Sequence, residues 1–337
     1  MTLFRNSVFK ILYWFKIGNY LLYRNKKKSK VPVIVFHKII PEYDSVWPGI
    51  HPRLFEEMIL LLKKHYSILP LHYLHTQPEM DFTNACFITF DDGYTNYLDY
   101  AYPVLKKHNA HSTLFVLPFN ISNNGHIWTS TVIFFIKHYS FSDIKDFFLQ
   151  HNQDIDYSKT PNDFSLNLAI TKHLCLLHHL ERQKIVSALL EKFENDNRVI
   201  SKELLSFEEL KKLDEKHVTI ASHSLTHPSF IQETDLEFIE FEIAESKNII
   251  EEKLNIKVSS FAFPFARVNE LSLKVVKKHY AMCFTKINEL VSLSKLKEDR
   301  NYLYELPRFN IHQGSAEELF LLINGFHKMI KPKPSLQ

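Results

Sequence analysis

Two short stretches of this chain hold side chains that could bind a metal ion and work beside it. The first, ITFDDGY at residues 88–94, is an apolar run that ends abruptly on Asp91, Asp92 and Gly93. Adjacent carboxylates repel one another unless a cation offsets the repulsion, and strand ends are where α/β folds gather catalytic groups. Asp-Gly is also a common turn pair, so the motif alone has a plain structural reading. The second stretch, ASHSLTHP at residues 221–228, carries His223 and His227 after another apolar run. Histidines four apart on one helical turn present their rings to the same side, a spacing that suits one metal ion. In a chain with 19 histidines such a pair means little alone. Set beside the two acids at another strand end, it completes a two-histidine, one-carboxylate set with positions open to water and substrate.

The elements that must position these groups follow from hydrophobic period and capping. β-branched and aromatic runs predict strands at 32–36, 86–90, 113–117, 218–221, 259–263 and 282–285. Amphipathic patterns predict helices at 54–64, 97–108, 207–216, 236–254, 271–279 and 316–329. Capping boxes are expected at Ser206 with Glu209, Thr234 with Glu237, and Ser315 with Glu318. Strand and helix in alternation imply parallel strands in an α/β sheet or barrel. Residues from about 119 to 205 break the rhythm with helical patterns alone, and read as an insertion between two core strands.

Composition narrows the classes further. A balance of 41 basic against 38 acidic residues, net +3, does not suit a nucleic-acid binder. Cys86, Cys175 and Cys283 have neither disulfide-framework nor thiolate-zinc spacing, so a reducing compartment is allowed. Residues 1–30 form a separate segment ahead of the domain at 31–337. Its apolar stretch is broken by Lys10 and Lys16, too short and polar to span a bilayer, and no small-residue cleavage site follows. The expectation is a cytoplasmic protein or one peripheral on the cytoplasmic membrane. Residues 8–28 suit an interfacial helix and a helix packed on the domain's own surface equally.

TFDDG followed by SHSLTHP resembles the first two motifs of the NodB-homology polysaccharide deacetylases, carbohydrate esterase family four. PVIVFHKI at residues 32–39 and SFAFPFA at 260–266 are similar to further strand-end motifs of that family. The likeness covers about 31–118 and 206–312, and implies a distorted (β/α) barrel carrying a helical insertion. It implies that Asp91 is the general base and that Asp92, His223 and His227 hold a divalent metal. Zinc suits that ligand set best, with cobalt, nickel, iron or manganese compatible. The substrate implied is an N-acetylated glycan, polymeric or lipid-linked, with no nucleic acid as partner.

The chain also departs from the family. The arginine that usually orients the base is replaced by Ala262, two residues before Pro264. Arg308 is the first candidate to take over, and Arg267 the second. His312 is the nearest match to the family's general acid, with His37 an alternative for the site. Tyr94, Pro264, Phe265 and Trp128 are candidates for the sugar cleft, and the Phe265 backbone N–H for the oxyanion. Three rivals remain: a deformylase or amidase on a small substrate, a non-haem iron oxygenase, and a glycan-binding homologue without turnover. Oxygenase sites usually set the carboxylate two residues from the first histidine, and simple binding needs no base such as Asp91.

Overall fold

A computed structural model describes residues 2–123, 125–311 and 314–326. Seven parallel strands form its centre: β1 (Val33–Phe36), β2 (Ala85–Phe90), β3 (Ser112–Val116), β4 (Val218–Ser222), β5 (Ser260–Ala262), β6 (Met282–Ile287) and β7 (Leu306–Asn310). They pair in the order β1-β7-β6-β5-β4-β3-β2, and β2 returns to β1 through Val33↔Phe87 to Phe36↔Phe90, which closes the barrel. Helices cover the outside. The short strand Ser67–Ile68 pairs only with the start of β2.

The two-residue period of a strand sorts the side chains. Ile34, Phe36, Cys86, Ile88, Leu114, Ile220, Phe261 and Cys283 point outward into the core beneath the helices. Their neighbours Val33, Ala85, Phe87, Phe115, Ala221, Ala262, Met282, Phe284 and Leu306 fill the barrel's interior. Continuing that inward register toward the strand C-termini brings Thr89, Asp91 and Arg308 to the mouth. The three cysteines are free and buried.

Strand β7 has no counterpart among the expected strands. Proline normally demotes a run to an edge, yet here Pro307 sits at a register shift against β6 and the strand pairs on both sides. A bulge thus takes up the missing N–H, and closure of the barrel supplies the second neighbour.

Several helices also differ from their pattern. The stretch at 97–108 opens as a π-helix, Tyr97–Ala101, before α-helix Tyr102–Lys107. The stretch at 207–216 forms only Phe207–Leu210, which keeps the Ser206–Glu209 capping box. At 236–254 a π-helix, Phe241–Glu245, interrupts the run, and its N-cap is Asp235 rather than Thr234. Asp235 accepts from the N–H groups of Glu237 and Phe238, the stronger bid of a carboxylate one residue on. Ser315 caps helix Ala316–Ile323 by accepting from Glu318 N–H, and residues 327–329 lie outside the described residues.

Between β3 and β4 the chain is helical, principally Trp128–His138, Phe141–Gln150, Asp163–Leu174 and His179–Asn195. These pack into their own apolar cluster around Phe135, Phe148, Ile170 and Phe193. At the N-terminus α1 (Thr2–Trp14) and α2 (Ile17–Lys27) form a hairpin against helix Ala316–Ile323.

Candidate metal centre and active site

Asp91 and Asp92 leave β2 at its C-terminal end, where Asp91 N–H still bonds Phe36 O at 3.0 Å. Asp92 and Gly93 then adopt left-handed conformations, φ 73° and 75°. This turn sends the two adjacent carboxylates in different directions. Asp91 points across the barrel to Arg308, whose Nη1 and Nη2 donate to its two oxygens, each at 2.7 Å. Arg308 also donates to Thr89 Oγ1 at 3.2 Å, and its guanidinium lies against the rings of Phe115 and Phe284. A planar fork held between two aromatic faces has little freedom left, which suits bidentate pairing. Burial works to raise the Asp91 pKa, but the charge and hydrogen bonds of Arg308 outweigh it and hold the carboxyl well below the usual range.

Asp92 turns toward the histidines. Its Oδ1 is buried without a hydrogen-bond donor, while His223 Nε2 lies 3.5 Å and His227 Nε2 3.4 Å away. His223 Nδ1 donates to Ala262 O at 2.8 Å, which leaves Nε2 as the ring's lone pair. Burial lowers the pKa of both histidines, His227 strongly, so both are neutral, the ligating form. Asp92 is pushed up to about 8 by burial and by the neighbouring charge of Asp91, against a hydrogen bond from Tyr94. The Asp92 oxygen and the two ring nitrogens lie within 4.8 Å of one another. A divalent cation fits this set, since it supplies charge to a buried oxygen that has no hydrogen-bond donor.

The histidines do not meet through a helical turn. Residues 223–227 are a loop, with Ser224 and His227 at φ 72° and 66°. The loop is held from three sides. Glu242, inside the π-helix Phe241–Glu245, accepts from the N–H groups of Leu225 at 3.0 Å and Thr226 at 2.9 Å. Trp128 Nε1 donates to His227 O at 2.8 Å. Ser224 Oγ accepts from His227 N–H at 3.1 Å. Glu242 has no place in the sequence-based site, although it was visible as a lone carboxylate on the buried stripe Ile239, Ile243, Ser246, Ile250. Burial raises its pKa to about 7 despite the Thr226 bonds. Glu242→Ala should weaken metal binding by about 10–100-fold, the usual cost of removing a support behind a ligand. Glu242→Gln, which keeps an acceptor, should recover most of it, as competition titration with a chromophoric chelator will show.

The mouth of the barrel opens into a cavity of about 180 Å³ lined by Asp91, Asp92, Tyr94, His37, Phe265 and Arg308, with Trp47 above them. Thr129, Ile133, Asn167 and Thr171 of the insertion also line it. Phe265 stands on its edge against His227, ring centroids 4.6 Å apart, in a left-handed backbone conformation at φ 58°. Pro264 starts that turn and is buried, but is not among the cavity's lining residues. Trp128 likewise anchors the insertion without lining the cavity. Arg267 lies past the turn, near Cys175 of the insertion, and Arg308 alone of the two pairs with Asp91. His312 lies outside the described residues. In a second group, Glu233 accepts from His179 Nδ1 at 2.7 Å and lies 2.9 Å from His178 Nε2, which ties the insertion to the loop after His227.

The profile of the family described as polysaccharide deacetylase matches residues 83–146 and 177–283, half of the chain, and both segments carry the site. This chain belongs to the polysaccharide deacetylase family. YxkH of Bacillus subtilis (strain 168), whose name places it among the polysaccharide deacetylases, is 28% identical over 113 residues, 31% of this chain and 38% of that protein. The chain thus spans well under half the length of that relative. Among solved structures, the Streptococcus pyogenes deacetylase PplD in complex with acetate superposes with a TM-score of 0.57 at 16% identity, over 87% of this chain and 98% of that one. IcaB from Ammonifex degensii gives 0.54 at 14%, over 88% and 98%. A Bacillus cereus polysaccharide deacetylase gives 0.56 at 19%, over 87% and 69%. At these identities the likeness is one of fold, a closed barrel of parallel strands. In this chain the arginine paired with Asp91 comes from β7, while on β5 Ala262 offers its carbonyl to His223.

Proposed function

We propose that the protein is a metal-dependent hydrolase that removes N-acetyl groups from an amino sugar of a polysaccharide or lipid-linked glycan. The observation that carries this reading is the split of the two carboxylates. Asp91 is ionised against Arg308, and Asp92 faces two neutral histidines over one small cavity.

Asp92, His223 and His227 would hold the cation. Such a cation, when bound, polarises an amide carbonyl and acidifies water. Asp91 Oδ2, 3.8 Å from His223 Nε2, is placed to take the proton from the attacking water as general base. Arg308 keeps that carboxylate charged and stationary. Tyr94 holds Asp92 in place by its hydrogen bond, and Lys38 lies over the Tyr94 ring at 4.3 Å. Phe265 and Trp47 offer apolar faces on which a sugar ring can stack, and the Phe265 N–H is the donor proposed for the oxyanion. Deacetylation leaves acetate and a free amine. The likeness to PplD, itself solved with acetate, supports this choice of acyl group over formyl.

The test is release of acetate against formate from matched N-acetyl and N-formyl amino-sugar substrates, with metal added after chelation. Acetate release restored by zinc is expected, whereas preference for the formyl substrates would favour the deformylase alternative. His223→Ala should lose bound metal by elemental analysis together with turnover. Full metal occupancy in that variant would remove His223 from the ligand set.

A further inference from the structure

The N-terminal hairpin carries two distinct faces. Its inner face is fully employed. Phe9 packs edge-on against Phe326, Tyr13 against Phe320, and Asn25 Nδ2 donates to Asn324 O at 3.0 Å. Gly18 lies so close to Phe320 that a Cβ there would come within 2.6 Å. The outer face is apolar as well. Val8, Ile11, Trp14, Phe15, Tyr20 and Tyr23 are 37–75% exposed, and Trp14 most of all. Residues 8, 11 and 15 follow one helical stripe, and 20, 23 and 27 another. A helix that has already buried one apolar face has no structural need of a second, so this face calls for a partner.

Charge says which partner. Eight of the chain's 41 basic residues and none of its 38 acidic ones fall within residues 1–30, and the first acid is Glu42. The remainder of the chain is therefore net acidic. Lys10 and Lys16 border the aromatic face, and the run from Arg24 to Lys28 follows Tyr23. Lys27 lies over the Tyr23 ring at 4.7 Å. Tryptophan and tyrosine flanked by lysine match the headgroup level of a bilayer, where aromatic bodies enter and cations meet anionic lipid. A second copy of the chain would bring like charge against like, which disfavours a dimer through this face. Among the described residues no helix is long and apolar enough to cross a membrane.

We propose that the α1–α2 hairpin is a peripheral docking surface for an anionic phospholipid bilayer, with Trp14, Phe15, Tyr20 and Tyr23 entering the interface and Lys26, Lys27 and Lys28 meeting the headgroups. The surface is independent of the deacetylase chemistry and is tested without turnover. The full chain is co-sedimented with vesicles of phosphatidylcholine alone and of phosphatidylcholine with phosphatidylglycerol, at low and high salt. Binding is expected only to the anionic vesicles, and should fall as salt rises. Lys26→Gln/Lys27→Gln/Lys28→Gln should lower partitioning on the order of 10²-fold. Trp14→Ser/Phe15→Ser should lower it by roughly tenfold or more. Both variants should keep wild-type circular dichroism, since none of the substituted side chains is buried. Absence of sedimentation with either vesicle, equal binding to both, or variants that bind as wild type does would overturn the proposal. So would concentration-dependent self-association in analytical ultracentrifugation that is lost in the Trp14/Phe15 variant while vesicles fail to bind.

Discussion

Asp91→Asn should lower kcat by about 10²–10⁴-fold, the range attached to a positioned general base, while KM and bound metal stay near wild type. The substitution keeps the shape of the side chain and one oxygen able to accept from Arg308. It removes the lone-pair basicity that a proton acceptor needs. Because the Asp91 carboxyl is held well below its ordinary pKa, its charge is present across the neutral range, and the loss should not be recovered by raising pH. Steady-state kinetics together with elemental analysis separates this from a ligand defect: a ligand variant loses metal and rate together, a base variant loses rate alone. Near-full activity in Asp91→Asn would transfer the base to another residue of the cavity.

Arg308→Leu should affect stability as much as rate. The Asp91–Arg308 pair is buried at both ends, and removing one partner from such a pair costs about 3–5 kcal/mol because the other charge is stranded. The sign with pH follows from the depressed carboxyl. In the wild type the pair's contribution is fully present above the unfolded carboxylate pKa of about 3.9 and is lost only as pH falls below it. In the variant, burial acts on Asp91 unopposed by Arg308, so its pKa rises. The destabilisation should then be largest near neutral pH and shrink on acidification, as the carboxyl protonates. Urea melts of chelator-treated wild type and variant across acidic and neutral pH will show whether the gap narrows. The acid limb of kcat/KM should move upward in the same variant, and Arg308→Lys, which restores charge without the fork, should restore the limb more than the rate. A gap independent of pH would mean that Arg308 matters only for packing between Phe115 and Phe284.

The difference between what pattern reveals and what it hides is clear from particular elements. Six barrel strands follow from their apolar runs because a strand buried on both faces needs an almost continuous run of such residues. Leu306–Asn310 does not, since Leu306-Pro307-Arg308-Phe309 carries a proline and a charge inside the barrel wall. Only closure of the barrel gives Pro307 a bulge and Arg308 a carboxylate to meet. The Ser206 cap follows from its hydroxyl and glutamate, whereas Thr234 loses to Asp235 because capping depends on backbone conformation as well as residue type.

The candidate site divides in the same way. Asp91, Asp92, His223 and His227 were legible in the sequence because strand ends and residue chemistry mark them locally. Their division of labour was implied only by the family resemblance, since no local pattern encodes the left-handed turn at Asp92 and Gly93 that parts two adjacent side chains. The convergence of the histidines was anticipated for the wrong local reason: a loop with two positive-φ residues, clamped by Glu242 and Trp128, replaces the expected helical turn. The pairing of Arg308 with Asp91 spans more than two hundred residues of chain, and no local period encodes such a contact. By itself the sequence determined which side chains could do the chemistry and which runs could be buried. Tertiary structure decided which of them face one another, because opposing charges at the barrel mouth find their partners only once the last strand has closed the ring.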